Sequence, residues 1–149
     1  MSDAHPTALV FRDAELADIE AMMHIRNNVR ENALVNTVIG REDYVQAMTT
    51  DGKAWVCERD GEVLGFSCGR PDPGDIWALF VRESAERQGI GGALMKLVED
   101  WMFAQGLSSI WLTTTPQTKA ERLYQRRGWI RHGTKPSGEA EYRLETRTP

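Results

Sequence analysis

Long apolar runs are missing from this 149-residue chain. A membrane-crossing helix needs about 20 consecutive apolar residues, and no stretch approaches that length. Residues 1–6 carry no charged-then-apolar leader, which points to the cytoplasm. An excess of positive charge is missing too. Eighteen Lys and Arg against 22 Asp and Glu leave a net charge of −4, which disfavours nucleic acid as the main partner and mildly favours a cationic one. Cysteine is scarce, with two residues, and neither stands at metal-ligand spacing to another Cys or to one of the three His. Internal repeats, linkers and low-complexity tracts are absent. What is present, 41% hydrophobic and 27% charged residues, is the composition of an ordinary globular chain. It predicts a single domain over residues 1–149 with a real buried core.

The cysteines can be tested against each other. Asp60-Gly61 between two apolar runs is a strong two-residue hairpin signal. A two-residue turn pairs Cys57 with Leu64 and Lys53 with Cys68, leaving the cysteines four rungs apart. At about 3.4 Å per residue that is roughly 13–14 Å, too far for a disulfide. Both are expected to be reduced core residues. In this register one face of the hairpin carries Trp55, Cys57, Leu64, Phe66 and Cys68. The other carries Ala54, Val56, Val63, Gly65 and Ser67. Two largely apolar faces suit a sheet covered by helices on both sides.

The remaining punctuation predicts a strand over 8–12, then a helix capped by Asp13 with Leu16, Ile19, Met22/Met23, Ile25/Arg26 and Val29 at helical spacing. A shorter helix over 41–48 follows, then the hairpin strands Lys53–Arg59 and Glu62–Arg70. After a Pro-Asp-Pro-Gly turn come a strand over Asp75–Val81, a helix over 92–105, a strand over 108–114, a helix over 118–127, and strands over 129–132 and Ala140–Glu145. This mixed order predicts a three-layer α/β sandwich on a mixed sheet.

Between the strand ending at Val81 and the helix beyond it, Arg87-Gln88-Gly89-Ile90-Gly91-Gly92-Ala93 is rich in glycine. Glycines there let backbone N–H groups converge, and the helix adds its own unpaired N–H groups and the positive end of its dipole. Such a turn suits a phosphate or pyrophosphate. No Lys-Ser or Lys-Thr step follows, which excludes a P-loop. Leu94 stands where the third glycine of a dinucleotide fingerprint belongs, which excludes that motif.

A second motif lies downstream at Ala120-Glu121-Arg122-Leu123-Tyr124-Gln125-Arg126-Arg127-Gly128-Trp129. Ala120, Leu123, Tyr124 and Arg127 share one side of a helix that Gly128 can end. Together the two segments resemble the GNAT superfamily of acyl-CoA-dependent N-acyltransferases. Its first hallmark is Arg/Gln-x-x-Gly-x-Gly/Ala, matched here at Gly89 and Gly91, with Glu86 in the leading position. Its second, Ala-x-x-Leu/Phe-Tyr-x-x-x-Gly-Phe/Trp, is matched at Ala120, Leu123, Tyr124, Gly128 and Trp129. The resemblance implies a GNAT-like, mostly antiparallel mixed sheet.

It also implies an acetyl-CoA-dependent N-acetyltransferase with a small-molecule or protein amine as acceptor, without nucleic acid or membrane as partner. No metal is implied, and a homodimer is left open. By family position Arg87, Gln88, Gly89, Ile90, Gly91, Gly92 and Ala93 hold the pyrophosphate, and Leu79, Phe80 and Val81 run beside the pantetheine arm. Gln117 stands where the family often has Asn, Ala120 faces the cofactor, and Tyr124 lies near the sulfur as general acid or thiolate hydrogen-bond donor. Glu31, in a charged cluster at the end of the first helix, is the candidate base. His24 and His132 are expected to be structural or exposed, while Asp75 and Trp77 could face the acceptor. An acyl-CoA-binding module without turnover, and an acyltransferase using a longer donor, fit the same residues.

Overall fold

The computed structural model describes residues 8–28 and 39–146. Its elements, in chain order, are β1 (Val10–Asp13), α1 (Ile19–Asn27), α2 (Arg41–Gln46), β2 (Lys53–Arg59), β3 (Glu62–Arg70), β4 (Asp75–Val81), α3 (Ile90–Ala104), β5 (Ser109–Thr114), α4 (Lys119–Arg126), β6 (Ile130–Thr134) and β7 (Ala140–Glu145). The strands form one sheet in the order β1-β2-β3-β4-β5-β7-β6. Every pairing is antiparallel except β4 with β5. Helices cover both faces, as the two-sided hairpin predicts. Among the described residues no helix is long and apolar enough to cross a membrane.

The hairpin departs from its expected register in an instructive way. Asp60 and Gly61 do make the turn, both with positive φ, but Glu58 pairs with Val63 while Cys57 pairs with Gly65. Leu64 is therefore an extra residue, a bulge that shifts every later side chain of β3 to the opposite face. Phe66 and Cys68 join Ala54, Val56, Val63 and Ala78 in the core under α1 and α2. Trp55, Cys57 and Leu64 pack on the other side with Leu94, Val98 and Met102 of α3. The cysteines consequently sit on opposite faces, and both are free and buried.

The same bulge places Gly65, Ser67 and Gly69 under α3, where small residues let the helix lie close to the sheet. A Cβ on Gly69 would come within 2.7 Å of Val98 Cγ2 and 2.8 Å of Met102 Sδ. The Ser67 hydroxyl donates to the Leu94 carbonyl at 3.1 Å.

Several element boundaries differ from expectation by one or more residues, three of them for a clear physical reason. Asp13 ends β1 instead of capping a helix. The capping work falls to Asp18, whose carboxylate accepts the Glu15 N–H at 2.7 Å and holds Arg12 through two hydrogen bonds. Val29, expected to extend the first helix, lies outside the described residues. Helix α3 starts at Ile90, two residues before expectation, because the first turn of a helix needs no N–H partners and so admits Gly91 and Gly92. Trp129 belongs to the core, 2% exposed, and β6 begins one residue later.

Candidate active site

The site begins with a seam in the sheet. β4 and β5 pair at a single rung, Asp75 with Trp111, reinforced by the Trp111 N–H donating to the Gly74 carbonyl at 3.1 Å. Beyond it a cleft of about 680 Å³ is lined by β4 up to Val81 and by β5 up to Thr114. Trp77 is an extra residue in β4, since Ala78 pairs with Cys68 and Ile76 with Gly69, and such a bulge re-aims the chain beside the opening. The cleft is lined from both sides of the sheet, by α3, α4 and the loop before α3, and by Arg26 of α1.

The loop before α3 has the backbone of an anion cradle. Arg87 and Gly89 both have positive φ, 67° and 79°. For Arg87 the left-handed conformation is a cost that a non-glycine residue bears only where its surroundings enforce it. Ala93 N–H is the first of α3 to close back, on Gly89 O at 3.1 Å. The N–H groups of Ile90, Gly91 and Gly92 precede any intrahelical partner. A Cβ on Gly91 would press on Leu123 at 3.2 Å, whereas one on Gly92 would meet nothing within 4 Å. Gly91 thus serves the packing of α3 on α4, and Gly92 leaves room beside the cleft.

Helix α4 is held by its own first turn. Thr118 Oγ1 accepts the Glu121 N–H at 3.2 Å and donates to Thr115 O at 2.7 Å. Glu121 in turn accepts the Gln117 N–H at 2.7 Å and the Tyr142 hydroxyl at 2.6 Å. Although burial opposes it, these bonds and nearby Arg131 leave the Glu121 carboxyl below its ordinary pKa. The helix so fixed carries Tyr124 into the cleft, 5% exposed, with its ring 6.1 Å from that of Trp129 and 6.4 Å from that of Tyr142. Burial alone moves the Tyr124 phenol, and it moves the pKa upward.

Leu79, Phe80, Val81, Arg87, Gly89, Ile90, Gly91, Gly92, Ala120 and Tyr124 all line this one cleft. Gln88, Ala93 and Gln117 are not among its lining residues. Gln88 accepts from Arg59 at 2.7 Å and donates to Ala85 O at 3.3 Å. Gln117 sits at φ 64°. Asp75 and Trp77 line the cleft as well, but the Asp75 carboxylate already takes two hydrogen bonds from Arg70, at 2.8 and 2.6 Å. His24 and His132 are exposed. Glu31 lies outside the described residues.

Sequence reasoning missed most of the charge. The lining includes Arg26, Arg87, Lys119, Arg122, Arg126 and Lys135, six cations, against Asp75, Glu86 and Glu139, three acids. Glu86, the departure from the first hallmark, is paired with Lys119 at 2.7 Å. The cleft is therefore suited to an anion although the whole chain carries a net −4. Lys119, Arg122 and Arg126 at helical spacing within the second motif were the available signal.

The profile of the Acetyltransferase (GNAT) family matches residues 19–129. The chain belongs to the GNAT acetyltransferase family. Mycothiol acetyltransferase of Streptomyces avermitilis is 33% identical over 85 residues, which are 54% of this chain and 28% of that protein. The chain thus spans less than a third of that relative's length. Among solved GNAT structures, Ard1 from Thermoplasma volcanium superposes with a TM-score of 0.79 at 19% identity, over 95% of this chain and 99% of that one. PaiA N-acetyltransferase from Thermoplasma acidophilum, solved in complex with coenzyme A, gives 0.77 at 15% identity, over 93% and 99%. The ribosomal-protein-S18-alanine N-acetyltransferase from Escherichia coli gives 0.74 at 16%, over 93% and 94%. At these identities the likeness establishes the GNAT fold.

Proposed function

We propose that this protein is an N-acetyltransferase that moves an acetyl group from acetyl-CoA to an amine by direct attack on the thioester. The observation that carries the reading is the seam between β4 and β5, with an anion cradle at one side and Tyr124 inside. The lining cations Arg87, Lys119, Arg122, Arg126 and Lys135 suit the phosphates of a CoA thioester. The coenzyme A bound in the PaiA structure supports the same class of donor.

In this reading the pyrophosphate rests on the Arg87–Gly92 cradle and the pantetheine arm follows Leu79, Phe80 and Val81, where backbone N–H polarises the acetyl carbonyl. A donor already aimed at the oxygen where charge grows is typically worth about 3 kcal/mol. The amine nitrogen forms the new C–N bond, the carbonyl oxygen takes charge and returns it, and sulfur leaves with the C–S electron pair. Tyr124, whose raised pKa keeps it protonated at neutral pH, meets a thiolate with a free-thiol pKa of about 8.5. Full proton transfer between them is uphill. Tyr124 therefore lowers the barrier by hydrogen bonding to sulfur as charge develops, with general-acid transfer as the limit. Glu31 takes the amine proton, directly or through water.

The test is thiol release from acetyl-CoA across a panel of amines. Release that needs both substrates supports the reading. Tight acetyl-CoA binding with no release for any amine would replace it with a binding module. Release only from succinyl- or propionyl-CoA would replace the acetyl donor with a longer one.

A further inference from the structure

Arg26 is a cation of the cleft that this chemistry does not use. α1 gives Ile19, Met22 and Ile25 to the core, and Arg26 stands one turn beyond Met22 on the same side of the helix. Its guanidinium carbon lies 5.1 Å from the ring centroid of Trp77 and 4.9 Å from that of Phe80. Two aromatic contacts from β4 hold the flat cation in place and leave its edge donors as the polar feature. The buried Tyr44 phenol lies beside the guanidinium, yet Nη1 is buried with no hydrogen-bond partner, and among the described residues Arg26 forms no ion pair. A buried charged donor left unmatched is costly, so native structures keep few of them.

The acids lining the cleft are all engaged elsewhere: Asp75 with Arg70, Glu86 with Lys119, and Glu139 with the Ser137 hydroxyl. Among the described residues, then, no acid pairs with Arg26, and the cleft leaves its donors open to an anion. Its place in the fold says which molecule. Trp77 and Phe80 pack on the α1/α2 side of the sheet, away from α3 and its cradle. An acceptor approaching β4 from that side meets Arg26 against Phe80, a residue of the segment that polarises the carbonyl. A group bound there lies a short distance from the attacking nitrogen.

We propose that Arg26 is a specificity residue that binds the carboxylate of the acceptor, and that the acceptor is a free amino acid. The proposal rests on the acetyltransferase reading of this cleft. A guanidinium offers a carboxylate two parallel N–H donors, a geometry that an amide oxygen or a bare alkyl chain does not return.

The experiment uses the whole chain saturated with coenzyme A and three families of probes: leucine, methionine and phenylalanine, their carboxamides, and their decarboxylated amines. The side-chain 15Nε resonance of Arg26, assigned by its loss in Arg26→Met, reports binding without turnover. The amino acids are expected to shift it, the carboxamides and amines not. In the thiol-release assay, Arg26→Met keeps the apolar stem and removes the donors. The ratio of kcat/KM for amino acid over decarboxylated amine should then fall at least tenfold, about 1.4 kcal/mol. Arg26→Lys, which keeps charge without the fork, should fall between.

Shifts of equal size from all three families, no shift from any, or a ratio unchanged in Arg26→Met would overturn the proposal. Thiol release that favours the decarboxylated amines would leave the enzyme standing and remove the carboxylate. Shifts from amino acids with no thiol release from any amine would do the reverse.

Discussion

At the α3 end of the cleft a ligand meets backbone: the left-handed turns at Arg87 and Gly89 and the open N–H groups of Ile90, Gly91 and Gly92. At the α1 end it meets side chains, with Arg26 laid on Trp77 and Phe80. The first surface is assembled within about a dozen consecutive residues. The second needs α1 and β4, about 50 positions apart in sequence, to be brought together by the sheet. Backbone N–H groups recognise any phosphate, so that end can be shared by every enzyme using the same donor. Side chains can be exchanged one at a time, so in the proposed reading the other end is where an acceptor is chosen. Each end also has its own anchor. Glu99 of α3 takes Arg127 at 2.9 and 2.5 Å and Trp129 Nε1 at 2.9 Å, while Asp18 ties the start of α1 to Arg12 of β1.

The sharpest division is expected at Tyr124, between the two ends. Tyr124→Phe keeps the ring packing and should lower kcat by roughly 10²–10⁴ with acetyl-CoA affinity nearly intact. The loss should shrink for a donor whose thiol has a lower pKa. Full activity in a folded Phe variant would return Tyr124 to the core, and equal losses for both donors would indicate misplaced substrate instead. Next in size, Glu99→Leu removes the acceptor of two Arg127 hydrogen bonds and of the buried Trp129 N–H. Thermal or urea unfolding should show a loss of about 2–3 kcal/mol, and a loss below 0.5 kcal/mol would mean that the anchor is dispensable.

Gly92→Val enters space empty of protein, so it should spare stability and weaken acetyl-CoA binding at least tenfold, about 1.4 kcal/mol by calorimetry. Gly91→Val, pressed on Leu123, should lower the melting temperature as well. Affinity for acetyl-CoA unchanged in Gly92→Val would remove the phosphate from the cradle.

The smallest effect concerns the α1 anchor. The Asp18 carboxyl is held below its ordinary pKa, chiefly by hydrogen bonds from Arg12. A depressed folded pKa contributes stability that is fully present above the unfolded value of about 3.9 and is lost as pH falls through the folded one. Asp18→Asn should therefore cost about 1 kcal/mol near pH 7 and progressively less below about pH 4. A cost independent of pH would assign the effect to geometry and not to charge.

Asp75–Val81 and Ala140–Glu145 were legible to the residue because each follows a turn marked by Pro and Gly, and the first is a run of β-branched and aromatic residues. The glycine turn before α3 and the helix carrying Tyr124 were legible as local structure, from glycines and helical spacing. The hairpin turn was also legible, but its register was not. Gly65 inside the strand is the one local hint of a bulge, and packing against two helical layers decides that Phe66 and Cys68 face α1. Arg26 was visible as a cation among apolar positions on one helix side, without any sign that β4 would supply its aromatic bed. The α1 end of the cleft is written in tertiary contacts, and local periodicity carries none of them.

The single rung between β4 and β5 also sets a clock. Amides of β4 that bond to β3 can exchange with solvent only when the sheet opens, whereas those turned to the seam beyond Asp75 have no strand opposite them. Hydrogen exchange along one strand should consequently alternate between slow and fast, a pattern usually reserved for the outer edge of a sheet. This chain carries that edge in the middle, where a bound donor can close it.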